Sequence, residues 1–187
     1  MTTFTDYHGF IKDEELKIVR EKFENYFKLS EFKRTNSIVE MFASSVAEYE
    51  FLQKINKKVL KKCSEFCKES IQLDKLWMVH STPKICDENE LPYLPHFDKT
   101  RYVKGFLYLY DVDENRGPLT VCGKHVPNVD RRRRNMPSNY LRFKSNVETS
   151  DEYKSKMKKI CGKAGTLIVF DTNTLHQAGI VRPKKDI

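Results

Sequence analysis

Apolar residues recur at helical spacing in the first part of the chain and in alternation after it. Leu16, Val19, Phe23 and Tyr26 stand three or four positions apart, with Glu and Lys between them. That is the stripe of an amphipathic helix from about Asp13 to Phe27, with Asp13 as its N-cap. Leu52, Ile55, Val59, Cys63 and Phe66 make a second stripe, on a helix from about Ser45 to Lys68. Lys54, Lys57, Lys58, Lys61 and Lys62 fall mainly on its other faces, and a solvated surface accounts for them better than an anion site. From Leu76 the period shortens. Leu76 to His80 reads as a strand, and Pro83 with Asp87-Glu88-Asn89-Glu90 reads as a loop. Tyr102 to Tyr110 is a second strand, in which Leu107 and Leu109 alternate with Phe106, Tyr108 and Tyr110. Asp111 to Pro118 carries turn chemistry, Leu119 to Val121 is a short strand, and Thr166 to Phe170 is a buried one. Between Lys124 and Lys163 lies a polar, basic insertion of weaker periodicity. Helices first and strands later predict an α+β fold with a mainly β core. The core, about 76–187, would be a barrel or sandwich backed by a helical part of about 1–70. The 187 residues suit a single domain with a sizeable core.

The candidate chemistry sits at the ends of these strands. In His96-Phe97-Asp98, residues two apart on an extended strand share a side, so His96 and Asp98 face one way and Phe97 the other. His176 follows the apolar strand Thr166 to Phe170 and the polar turn Asp171-Thr172-Asn173-Thr174. Two imidazoles and one carboxylate are the facial set that holds non-haem Fe(II) with positions left open. A bare His-x-Asp arises readily by chance on a surface, and a lone histidine after a strand is usually structural. The weight lies in the three together, each held by a strand that can fix its geometry.

Composition narrows the class. Hydrophobic residues make up 39% and charged residues 32%, which fits a globular chain rather than a disordered one. No stretch is long and apolar enough to span a bilayer, and the N-terminus lacks the basic-then-apolar order of a secretory leader. The five cysteines include no Cys-x-x-Cys pair, so a reducing cytoplasmic setting is expected rather than a disulfide framework or a zinc site. The formal net charge of +8 suits an anionic small-molecule substrate as well as nucleic acid. Arg131 to Arg134 is the densest charge run. No nucleic-acid motif or interleaved aromatics accompany it, so a solvated loop near a pocket mouth is the better reading. Asp111, Asp113 and Asn115 have the start of a calcium-loop spacing, but the glycine comes one place late and Cys122 stands where the bidentate glutamate belongs. His125, after a strand, reads as a turn residue, and Trp77 and Tyr93 as core or pocket wall.

One ordered set of segments resembles the phytanoyl-CoA dioxygenase family. It comprises His96-Phe97-Asp98, then Gly105 through Leu119 with its Asp111-Val112-Asp113-Glu114-Asn115-Arg116-Gly117-Pro118 turn, then Gly123-Lys124-His125, then Gly165 through Gly179. The resemblance covers roughly Leu76 to the end of the sequence and, more loosely, Tyr7-His8-Gly9-Phe10-Ile11. It implies a double-stranded β-helix with the N-terminal helices packed outside. It also implies Fe(II) held by His96, Asp98 and His176, 2-oxoglutarate as co-substrate, O2, and hydroxylation of a small molecule. The family's Gly-Ser-His element is Gly123-Lys124-His125 here. The family also places an arginine for the far carboxylate of 2-oxoglutarate at about the position of Ile187. Either Arg182 takes that role, with Lys184 and Lys185 as basic alternatives, or the arginine and the final strand follow Ile187. The other readings are a cupin-type metal enzyme that uses no 2-oxoglutarate, and a basic binding module in which the histidines are structural.

Overall fold

The structure is a computed structural model that describes residues 2–29, 36–42, 50–81, 94–98, 100–129, 131 and 151–183. The expected loop from Pro83 to Glu90, Cys86, Tyr93, the start of the second helix, Arg132 to Arg134, most of the Lys124–Lys163 insertion, Lys184, Lys185 and Ile187 lie outside the described residues.

Strand β1 (Phe4–Tyr7) precedes helix α1 (Asp13–Leu29), whose first turn carries Asp13, Glu14 and Glu15 against the exposed amides of the helix start. Leu16 and Val19 are buried, as their spacing requires. Strand β2 (Asn36–Phe42), helix α2 (Glu50–Cys67) and strand β3 (Lys75–Ser81) follow, with β2 antiparallel to β3. The β core holds β4 (Val103–Leu107), β5 (Leu119–Cys122), the short helix α3 (Asp151–Lys154), β6 (Met157–Ile160), β7 (Leu167–Asp171) and β8 (His176–Gln177).

Two three-stranded antiparallel sheets form that core, in the orders β1-β7-β4 and β6-β5-β8. The strand alternation read from the sequence decides what lies between them. Phe106 and Tyr108 face inward to Leu119, Val121, Ile160, Ile168 and Phe170. Leu107, Leu167 and Val169 face outward to Val59, Cys63 and Phe66 of α2. Gly105 permits that close packing, because a Cβ there would lie 2.4 Å from Val59 Cγ1. Tyr108 ties the two sheets together. Its hydroxyl donates to Ile160 O at 2.8 Å and accepts from Leu119 N at 2.9 Å. Burial pushes that phenol up to about 12.

Three strands stand beyond those the pattern predicts. β1 and β2 lie in the N-terminal part, and β6 lies in the insertion. β1 is four residues of mixed polarity at a sheet edge, and β6 reads Met-Lys-Lys-Ile with both lysines exposed. Neither carries an apolar alternation, so pairing with β7 and β5 decides their conformation rather than local pattern. Strand β4 is also shorter than the Tyr102–Tyr110 run. The described thiols of Cys63, Cys67, Cys122 and Cys161 are free, and no described helix is long and apolar enough to cross a membrane.

Candidate metal centre

The two histidines are brought together by backbone pairing. His96 N donates to His176 O at 3.0 Å, and His176 N donates to His96 O at 2.8 Å. Residues that exchange both bonds in an antiparallel pair carry their side chains on one face. The imidazoles therefore lie side by side, with ring centroids 4.5 Å apart. Asp98 follows on the same face, two residues along, and its N–H donates to Thr172 O. Phe97 points the other way, into a cluster with Cys122, Val126, Val129, Tyr153 and Leu175. On its far side His176 pairs with Val121 of β5.

The turn before His176 is fixed by its own polar side chains. Asp171 accepts from Asn173 N at 2.8 Å and binds the Arg101 guanidinium, while Thr172 Oγ1 accepts from Tyr102 N and donates to Tyr102 O. These bonds set where the strand ends and where the imidazole begins.

Donor chemistry matches the geometry. Nδ1 of His96 lies 2.8 Å from Leu94 O, and Nδ1 of His176 lies 2.9 Å from Thr174 O. A carbonyl can only accept, so Nδ1 carries the hydrogen in each ring and Nε2 presents a lone pair. Nε2 of His96 is 3.9 Å from Asp98 Oδ1, and Nε2 of His176 is 3.7 Å from Asp98 Oδ2. One donor atom from each of the three residues lies within 4.8 Å of the others. An ion about 2.0–2.2 Å from each donor can span pairs up to roughly 4.4 Å apart, so both histidine–aspartate separations fit one ion.

Electrostatics point the same way. His176 is buried, and burial, then Lys104 and His96, bring its pKa down to about 3. It is a neutral base at ordinary pH, and its 3.7 Å approach to Asp98 is not an ion pair. Its buried Nε2 meets no hydrogen-bond partner among the described residues, which is costly unless something accepts the lone pair. Burial works to raise the Asp98 carboxyl, but the Lys104 charge and hydrogen bonds from Lys104 and Tyr102 outweigh it and hold the pKa below the usual carboxylate range. A neutral imidazole with an orphaned lone pair at His176, a second imidazole at His96 and an ionised carboxylate at Asp98 fit a divalent metal ion of the non-haem iron type.

Sequence reading missed Lys104. Its ammonium is 2.7 Å from Asp98 Oδ2 and lies over the rings of Trp77, Tyr102 and Phe170 at 5.3–5.9 Å. A signal existed, since Lys104 shares a strand face with the inward aromatics Phe106 and Tyr108.

Arg182 stands elsewhere. It is exposed, its N–H donates to Asn115 O at 2.8 Å, and the neighbouring Val181 bridges Arg116. With Phe23, Leu52, Trp77, Phe106 and Arg116 it lines a cleft of about 1370 Å³ that includes none of the three candidate ligands. His125 and Arg131 are exposed. Asp111 is engaged by Lys163 and Ala164 N, and Asp113 by Asn115 N and Arg116, so that loop satisfies itself as a turn.

No family model matches this chain, and no curated protein sequence matches it. Solved structures do. The epimerase SnoN in complex with Fe3+, alpha ketoglutarate and nogalamycin RO is similar with a TM-score of 0.74 and 13% identity, over 98% of this chain and 75% of that one. HygX from Streptomyces hygroscopicus, with nickel and 2-oxoglutarate bound, is similar with a TM-score of 0.65 and 12% identity, over 97% and 77%. The non-heme alpha ketoglutarate dependent carbocyclase SnoK from nogalamycin biosynthesis gives 0.67 and 13%, over 98% and 76%. At such identities the likeness is one of fold.

Proposed function

We propose that this chain is an Fe(II)- and 2-oxoglutarate-dependent dioxygenase built on a double-stranded β-helix, of the phytanoyl-CoA dioxygenase type, and that it hydroxylates a small, anionic substrate. The observation that carries this is the hydrogen-bonded pair His96–His176, with each Nδ1 tied to a carbonyl and each Nε2 turned toward Asp98. His96, Asp98 and His176 would hold the iron. The neighbours' bound Fe3+, nickel and 2-oxo acid support the same assignment on this fold. Bound iron with 2-oxoglutarate and O2 supplies oxidative decarboxylation of the oxo acid coupled to oxidation of a substrate C–H bond.

The chain's own residues do the rest. The paired strands hold both imidazoles in place, Asp98 fills the third protein position, and the buried Phe170 ring, 5.0 Å from that of His176, keeps water from it. In this reading the cleft lined by Trp77, Phe106, Arg116 and Arg182 takes the end of the substrate away from the iron, and Trp77, which also meets Lys104, stands between the cleft and the triad. Arg182 is also the candidate carried from the sequence for the far carboxylate of 2-oxoglutarate. Free thiols suit a cytoplasmic enzyme.

The test is conversion of 2-oxoglutarate to succinate by purified protein with Fe(II), which proceeds slowly even without a prime substrate and stops in His176→Ala. Metal binding with no response to 2-oxoglutarate would favour a cupin-type enzyme, and absence of metal binding would favour a binding module.

A further inference from the structure

Asp98 Oδ2 lies 2.7 Å from the Lys104 ammonium, and among the described residues aromatic faces also stand around it. The rings of Trp77, Tyr102 and Phe170 surround the ammonium at 5.3, 5.3 and 5.9 Å. Rings attract a cation but offer it no oxygen. The Lys104 side chain is only 21% exposed and its ammonium lies beside Asp98, so a ligand at the candidate metal centre would come close to it. Its place on β4 is fixed on both sides. Lys104 pairs with Phe170, and Gly105 beside it is clamped under α2.

Charge decides what such a group can take. Asp98 and Lys104 together are neutral, and imidazoles that bind an ion through Nε2 while Nδ1 keeps its hydrogen add no charge. A divalent ion on His96, Asp98 and His176 leaves the site with two positive charges, one at the ion and one at Lys104. A dianion balances both, and a monoanion balances only one. Low surrounding polarity makes that difference large. We propose that Lys104 is the cation that receives the second carboxylate of a 2-oxo dicarboxylic acid, while the oxo acid end faces the metal ligands. This deepens the iron and 2-oxoglutarate reading and rests on it. It gives Arg182, exposed on the cleft, a role toward the substrate instead.

The test uses Co(II)-loaded protein, in which 2-oxoglutarate binding is measured by calorimetry without turnover, beside 2-oxobutanoate, which lacks the second carboxylate. Wild type binds 2-oxoglutarate more tightly than 2-oxobutanoate. In Lys104→Met the affinity for 2-oxoglutarate falls about tenfold or more, the worth of a hydrogen bond to a charged group. The affinity for 2-oxobutanoate stays within about twofold, and Lys104→Arg recovers most of the preference. Arg182→Ala keeps the wild-type preference. Equal loss for both oxo acids in Lys104→Met would mean that the lysine only holds Asp98 in place, and would overturn the proposal. Unchanged 2-oxoglutarate affinity, or loss of the preference in Arg182→Ala alone, would overturn it too. Failure of wild type to take up Co(II) would instead bring down the metal reading, and this inference with it.

Discussion

The two places where candidate residues were found differ in how they are held. At the triad, every donor is set by backbone bonds: His96 and His176 to each other, Asp98 to Thr172, and each Nδ1 to a carbonyl two residues back. At the Arg182 cleft, the arginine is exposed and its backbone N–H donates to Asn115 O. A side chain that must meet a metal tolerates little freedom, whereas one that draws an anion toward a cleft can remain mobile. The first place presents fixed donors to an ion, and the second an exposed arginine on a cleft.

The largest expected effect is at the triad. His176→Ala removes a proposed ligand whose Nε2 meets no hydrogen-bond partner among the described residues. Divalent metal affinity should fall by more than about 100-fold, beyond the range for losing a ligand's supporting partner, while circular dichroism shows the fold retained. Metal affinity within tenfold of wild type would erase the contrast between the two places.

A stability effect comes next, at the seam that carries the chain from one place to the other. Gly179 packs directly on Gly117 and Pro118, and a Cβ there would lie 2.4 Å from their backbone atoms. Backbone cannot swing aside, so Gly179→Ala should destabilise the protein at or above the upper end of the ~1–3 kcal/mol typical of overpacking. Denaturant unfolding measures this, and a change below about 0.5 kcal/mol would mean that the seam gives easily.

Acid sensitivity should also separate the two places. His176 titrates near 6.5 unfolded and is held down to about 3 when folded. The unfolded chain therefore binds the extra proton first. Its contribution to stability is complete above about 6.5 and is lost as pH falls toward about 3. Metal-stripped wild type should lose stability over that window more steeply than His176→Phe. Parallel curves would show that His176 is not held neutral.

The smallest effect is expected in the cleft. Arg182→Ala should leave metal affinity and 2-oxoglutarate affinity within about twofold, because a largely solvated cation contributes little to a fixed site. A tenfold loss of 2-oxoglutarate affinity would move the carboxylate partner from β4 to the cleft.

Much of the triad was legible in advance because strand alternation is a local property. His96, Phe97 and Asp98 declare their faces by position alone, and the outward Leu107 and inward Phe106 and Tyr108 do the same. What sequence could not supply was pairing. That His96 lies opposite His176 is a matter of register between segments far apart in the chain, and the short strands β1 and β6 exist because β7 and β5 pair with them. Lys104 was overlooked for a related reason. A lysine in an apolar strand reads as an exposed residue until its partner Asp98 is known. Arg182 follows His176 closely along the chain, and the structure sets its backbone against Asn115 at the cleft, a pairing that local pattern does not encode.

The most direct test of the metal centre is anomalous diffraction from crystals of the protein soaked in Mn(II). The account predicts one strong peak roughly 2.0–2.3 Å from Nε2 of His96, Nε2 of His176 and a carboxylate oxygen of Asp98. A peak on other residues, or none at this site at saturating Mn(II), would contradict it.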